Sequence, residues 1–316
     1  MILIKHFKNS VHTSIILSKL NNGKFNFFDF LRIFFIRFFF AFSFIRNLKK
    51  LKIINEKNYE ELYFENKINI KEILSELENN GFNDELKLKE GILIQLKKNI
   101  NDQNWFVDYK GLDKKEESIN DKIKFNSLDE IISLTLDNKI KHCVLKLKKN
   151  NNFLKEVAFS KSLLNVVSNY LNTKNITCKI ECFISNPFKG SIDEMKKNAQ
   201  YFHYDCDYKK FLKIFIYLND VDENSGMHIF IQNTHKKKFF KHILAERIDD
   251  DEALEIYGEA KQKKFIKNAG SVIIEDTFGL HKGEIPKTKS RAMLVFEYGV
   301  GESILKNDQY FFSEFK

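Results

Sequence analysis

The sequence predicts an α+β protein: a double-stranded β-helix, a jelly-roll or cupin-like antiparallel barrel with helices on its outer face. A helical, Phe-rich and basic N-terminal extension precedes it. Three observations carry this expectation. Helical apolar spacing is concentrated before residue 172, short strand-like runs separated by turn signals follow from Thr177, and the first fifty residues differ from the rest in charge. The expected division is an extension over residues 1–55 and one catalytic-type domain over 56–316.

In chain order, the extension is dense in Phe (Phe27-Phe28, Phe34-Phe35, Phe38-Phe39-Phe40) and is interrupted by Arg32, Arg37 and Arg46. The apolar run from Ile33 to Ile45 is shorter than the ~20 residues a membrane-spanning helix needs, and it contains a charge. Two readings stay open: a flat-lying helix whose basic residues meet an anionic membrane surface, or a helix packed on the domain or on a partner. Asn69 to Asn80 reads as an amphipathic helix, with Ile70, Ile73, Leu74 and Leu77 at helical spacing and Gly81 as its stop. Leu86 to Ile100 reads as a half-buried strand from the alternation of Leu86 with Leu88 and of Ile92, Ile94 and Leu96. Gly111 to Ser127 reads as a polar loop, Ser127 to Glu130 as a capping box, and Ser160 to Leu171 as a helix. Strands are expected at Cys178–Ser185, Lys213–Leu218, Met227–Gln232, Ser271–Glu275 and Ala292–Tyr298, with turns at Asn219-Asp220, Asn224-Ser225-Gly226, Asn268-Ala269-Gly270 and Gly299. Asp249 to Lys264 reads as a charged helical insert.

A chain of 316 residues, 43% hydrophobic and 30% charged, buries a core without staples. Its net charge of +9 belongs mostly to residues 1–50, which hold nine Lys or Arg against the single acid Asp29. Basicity confined to one segment argues against a nucleic-acid binder, which spreads Lys and Arg along a binding face. Cys178-x-x-x-Cys182 has no matching second pair, so reduced thiols are expected rather than a structural zinc site. The N-terminus lacks a secretory signal pattern, and the expected location is the cytoplasm, with a peripheral membrane contact through residues 1–50 under the first reading of the extension.

The chemistry gathers in four residues. His203 and Asp205 are two apart in Gln200-Tyr201-Phe202-His203-Tyr204-Asp205, and in a strand such a pair shares one face. His281 ends Phe278-Gly279-Leu280-His281, and Arg291 follows ten residues on. Two imidazoles and a carboxylate suit Fe(II) and leave further positions open. A lone His-x-Asp is a weak signal. Asp207 is a rival ligand, Arg291 fits an ordinary ion pair, and His228 and His235 read as structural. His6, His12, His142 and His242 read as surface residues.

The order and spacing of several pieces is more specific. Gln200 to Asp205 is followed by the apolar strand Phe211 to Leu218 and the turn Asn219-Asp220. Asn224-Ser225-Gly226, the strand Met227 to Ile231 and Thr234-His235-Lys236 come next, then Gly270 to Glu275, Leu280-His281 and Arg291. Over residues 68–300 the chain resembles the phytanoyl-CoA dioxygenase-like family of Fe(II)/2-oxoglutarate-dependent oxygenases. The resemblance implies that His203, Asp205 and His281 ligate iron and that Arg291 binds the distal carboxylate of 2-oxoglutarate, with O2 as the other co-substrate. A retained Asp205 implies hydroxylation or a related oxidation rather than halogenation. Two departures stand out. Gln232-Asn233 replaces the family's Pro-Gly, and Gly283 stands where a small hydroxyl residue often helps to hold the co-substrate, leaving Lys282, Tyr298 and Tyr217 as substitutes. The expected enzyme is a dioxygenase acting on a small molecule or a lipid-linked intermediate; the other expectation is a catalytically silent jelly-roll binding or scaffold protein.

Overall fold

The structure is a computed structural model that describes residues 61–101, 105–109, 124–125, 128, 142–146, 152–187, 199–244, 247–301 and 311–314. The extension 1–55, the capping box and most of the expected loop 111–127 lie outside these residues. Among the described residues no helix is long and apolar enough to cross a membrane.

The first part is helical with one strand. Helix α1 (Ile70–Asn79) starts at Asn69, whose side chain accepts from the Glu72 N–H, and buries Ile73 and Leu77. Strand β1 (Phe82–Lys87) follows, then helix α2 (Glu90–Asn101). Here the expectation of a strand over Leu86 to Ile100 is corrected. Only its first two residues extend β1. Beyond them Leu93, Leu96 and Ile100 fall at helical spacing, with Leu96 and Ile100 fully buried and Ile94 60% exposed. The alternation of Ile92, Ile94 and Leu96 was a coincidence of the two periods. Strands β2 (Trp105–Tyr109), β3 (Lys124–Phe125) and β4 (His142–Lys146), then helices α3 (Asn152–Ala158) and α4 (Lys161–Leu171), complete this half.

From β5 (Asn175–Ser185) the chain builds two antiparallel sheets. Strands β6 (Phe211–Tyr217), β7 (His228–Ile231), β8 (Gln262–Phe265), β9 (Ser271–Glu275), β10 (His281–Gly283), β11 (Arg291–Val300) and β12 (Phe311–Glu314) follow, with α5 (Phe240–Leu244) and α6 (Asp250–Tyr257) inserted between β7 and β8. The expected insert Asp249 to Lys264 is therefore helical over Asp250–Tyr257 and, as a 3-10 turn, over Glu259–Lys261, while Gln262 to Phe265 pairs with β7 as a strand. The large sheet runs β1-β9-β6-β11-β5-β4-β2-β3, with β12 also on β5; the small one runs β10-β7-β8. A bridge between His203 and His281 adds residues 202–205 to the small sheet beside β10. From β5 to β11 the chain moves back and forth between the sheets, which is the connectivity of a jelly roll. Gly299, expected as a turn, lies inside β11. A Cβ there would come within 2.3 Å of the Tyr208 ring, so its small size serves close packing rather than a reversal.

Strand alternation separates two cores. Ile180, Cys182 and Ile184 on β5, Ile214 and Ile216 on β6, and Leu294 and Phe296 on β11 point outward and pack against the helices. Phe215, Tyr217, Met293 and Val295 point inward, toward the small sheet. Cys178, Cys182 and Cys206 are buried free thiols.

Candidate metal centre

His203, Asp205 and His281 converge: one donor atom from each lies within 4.8 Å of the others. His203 and His281 exchange backbone hydrogen bonds at 3.0 and 2.9 Å, and the Asp205 N–H donates to Thr277 O at 2.8 Å, so the strand pairing itself sets the spacing. Alternation turns Phe202 and Tyr204 the other way, into the second core. The degraded turn motif also has a function. Asn233 takes φ 67°, a conformation that favours glycine, and the Thr234 hydroxyl accepts the Leu280 N–H at 2.7 Å, fixing the residue before His281.

Both imidazoles are locked in one orientation. The Nδ1 of His203 sits 2.9 Å from Tyr201 O, and the Nδ1 of His281 sits 3.0 Å from Gly279 O. A carbonyl accepts only, so each Nδ1 carries the proton and each Nε2 faces inward as a donor for a metal. Nε2 of His281 is 3.3 Å and Nε2 of His203 is 3.8 Å from the Asp205 carboxylate. Burial, with Arg247 and His281, pushes His203 well below the ordinary histidine range, which favours the neutral imidazole that a metal would need. Burial also opposes charge on His281, but Asp205 outweighs it and raises that pKa. The donor set, its orientation and its charge fit a divalent ion.

The sequence reading missed the floor of this site. Register aligns Lys179 with Glu297, Glu297 with Lys213, and Lys213 with Glu275, so β5, β11, β6 and β9 carry a row of alternating basic and acidic side chains facing inward. Lys213 Nζ reaches Asp205 at 2.9 Å, Asp207 at 3.3 Å and Glu297 at 3.5 Å. Burial opposes its charge, but Asp205, Glu297 and Asp207 together hold the ammonium well above the ordinary lysine range. Burial likewise works against Asp205, and Lys213, then His281, overcome it and hold the carboxyl well below its usual range. Asp207 is held by Lys213 and lies outside the triad. Glu275, fully buried, is pushed up to about 8 by burial and bonds His228 Nε2 at 2.9 Å. A signal for Lys213 and Glu297 existed: both sit on the inward face of otherwise apolar strands, where an unpaired charge is costly.

Arg291 opens β11, 5% exposed. Its guanidinium donates to Gly226 O and, at 3.4 Å, to Ser185 Oγ. Gly283 explains one departure: a Cβ there would meet Arg291 Nη2 at 2.5 Å. Of the three expected substitutes for its missing hydroxyl, Tyr217 lies close enough to Arg291 for the two to interact electrostatically, while Lys282 and Tyr298 are engaged elsewhere. Lys282 pairs with Asp250 and Glu284, Tyr298 donates to Ala158 O on the outer face, and Tyr217 donates to Phe265 O. Ser185, on the neighbouring strand, is the hydroxyl that meets the guanidinium. His235 is buried and meets Glu78 O, and His228 is the buried partner of Glu275. His242 corrects its surface reading: it is fully buried, between Tyr257 and Glu252.

The insert covers the back of the His203 strand. Ile248 N–H donates to Phe202 O at 2.8 Å, Tyr204 donates to Ile243 O at 2.6 Å, and Lys282 binds Asp250.

No family model matches the chain, and no curated protein matches it in sequence. Among solved structures it is similar to EvdO2 from Micromonospora carbonacea var. aurantiaca, complexed with 2-oxoglutarate, at 13% identity over 76% of this chain and 93% of that one, with a TM-score of 0.49. It is similar to HygX from Streptomyces hygroscopicus, with nickel, 2-oxoglutarate and hygromycin B bound, at 13% identity over 78% and 90%, with a TM-score of 0.46. The non-heme alpha ketoglutarate dependent epimerase SnoN from nogalamycin biosynthesis is similar at 12% over 72% and 80%, with a TM-score of 0.45. At this level of likeness, the reading of the site stands on its own geometry.

Proposed function

We propose that the protein is a non-haem iron(II), 2-oxoglutarate-dependent oxygenase that oxidises a small molecule, in the manner of the phytanoyl-CoA dioxygenase-like enzymes it resembles. The observation that supports this best is the convergence of His203, Asp205 and His281, with both Nε2 atoms directed at the carboxylate and a buried Arg291 at the start of the neighbouring strand. Iron, when bound, would supply oxygen activation coupled to oxidation of 2-oxoglutarate. The chain supplies the rest. The two carbonyl-locked imidazoles and Asp205 hold the ion, and Arg291 with Ser185 offers a carboxylate a planar, two-donor clamp backed by a hydroxyl. The two sheets keep bulk water from the reacting centre. A carboxylate at position 205 favours hydroxylation over halogenation.

Anaerobic titration with Fe(II), followed by oxygen-dependent succinate formation from 2-oxoglutarate, tests the reading. Binding lost in His281→Ala, together with slow succinate release even without substrate, is expected. Absence of metal binding by the native chain would count decisively against it and would favour a silent binding protein. The membrane reading of residues 1–50 is a separate proposal, tested by co-sedimentation with anionic and neutral vesicles with and without that segment; equal binding to both, or none, would overturn it.

A further inference from the structure

We propose that Lys213 is a positioning residue that caps one oxygen of Asp205, so that the carboxylate offers a single oxygen to the divalent ion and a coordination position stays open for the co-substrate. This rests on the metal-centre reading above. The Oδ2 of Asp205 is held by Lys213 at 2.9 Å and faces His281 Nε2 at 3.3 Å, whereas Oδ1 stands 3.8 Å from His203 Nε2 with no closer donor among the described residues. A free carboxylate can bind a hard cation through one oxygen or through both. A carboxylate with one oxygen held by an ammonium does the second poorly.

Lys213 is held firmly enough for this. Its strand neighbours in register are Glu297 on β11 and Glu275 on β9, and Asp207 closes over it. Its side chain is 13% exposed and rises between Phe211 and Phe215 on the same inward face. A structural counter-ion for Glu297 and Asp207 would not need to reach the ligand itself; Lys213 is closest to Asp205 of the three. The cap has a second effect. A fixed positive charge behind the ligand repels a divalent ion and weakens its binding, so the arrangement sacrifices metal affinity for an open position.

The test uses full-length protein titrated with Co(II), read by visible absorption, and then with 2-oxoglutarate. Lys213→Met is expected to bind Co(II) about tenfold more tightly, with an altered Co(II) spectrum, and to bind 2-oxoglutarate about tenfold more weakly. Co(II) affinity that is unchanged or lower would overturn the proposal; tighter Co(II) with unchanged 2-oxoglutarate affinity would overturn the open-position part. The variant K213M/E297Q removes the charges as a pair and carries the same test if K213M folds poorly. Failure of the native chain to bind Co(II) at a site abolished by His281→Ala would instead overturn the metal-centre reading.

Discussion

Gly283→Ser should harm the site although it introduces the hydroxyl that the resemblance in sequence would lead one to expect there. The backbone at Gly283 needs no unusual φ, so the whole cost is steric. The new Cβ would stand 2.5 Å from Arg291 Nη2 and 3.3 Å from both Cζ and Nη1. The guanidinium is the far end of a flexible side chain, so it gives way and leaves Gly226 O. A hydrogen bond to a charged group contributes ~1.5–3 kcal/mol, and Gly226 O is left buried. At about 1.4 kcal/mol per factor of ten, the displaced clamp lowers 2-oxoglutarate affinity at least tenfold. Isothermal titration of the metal-loaded protein measures the affinity, and urea unfolding measures a loss of about 1–3 kcal/mol in stability. Native affinity in Gly283→Ser, with stability unchanged, would show that Arg291 is not pressed against position 283.

Three further outcomes follow from the same geometry. Leu96→Ala should cost ~2–5 kcal/mol in urea unfolding while Ile94→Ala stays within ~0.5 kcal/mol, because α2 buries one and exposes the other; similar losses at both would restore the strand reading. Tyr204→Phe should cost ~1–3 kcal/mol by leaving Ile243 O unpaired, and should raise proteolytic cutting within the insert; native protease resistance would argue that the insert is anchored elsewhere. In the metal-free protein, the Glu275 carboxyl is pushed up to about 8 by burial, above its unfolded value. Its contribution is fully present at low pH and is lost as pH rises through 8. Glu275→Gln should therefore flatten the fall in stability between about pH 5 and 8; an identical pH profile would refute that assignment.

Much of the fold was legible because the strands after Thr177 are short apolar runs with turn residues at their ends. His203 and Asp205 were legible as a pair because two residues apart in extended chain is a short-range fact, whereas His281 was reached through the order and spacing of the later pieces. The error at Leu86 to Ile100 arose where apolar residues satisfied both periods, and only the burial of Leu96 and Ile100 separates them. The row Lys179–Glu297–Lys213–Glu275 was not legible as a unit, because it depends on the register of four strands distant in sequence. Ser185 was hidden likewise: it meets Arg291 only because β5 and β11 pair at that end. Gly283 could be noticed in the sequence but not explained without the guanidinium beside it.

The bridge between His203 and His281 joins residues separated by four strands and the whole α5–α6 insert. A metal ion held there would act as a removable crosslink across that stretch of chain. It would raise the unfolding free energy by RT ln(1 + [M]/Kd), or ~4 kcal/mol at a thousandfold excess over Kd. Chelators would then do more than silence the centre. They would cut the knot that ties the insert-bearing loop shut, and that loop should become the first part of the barrel to exchange its amide hydrogens.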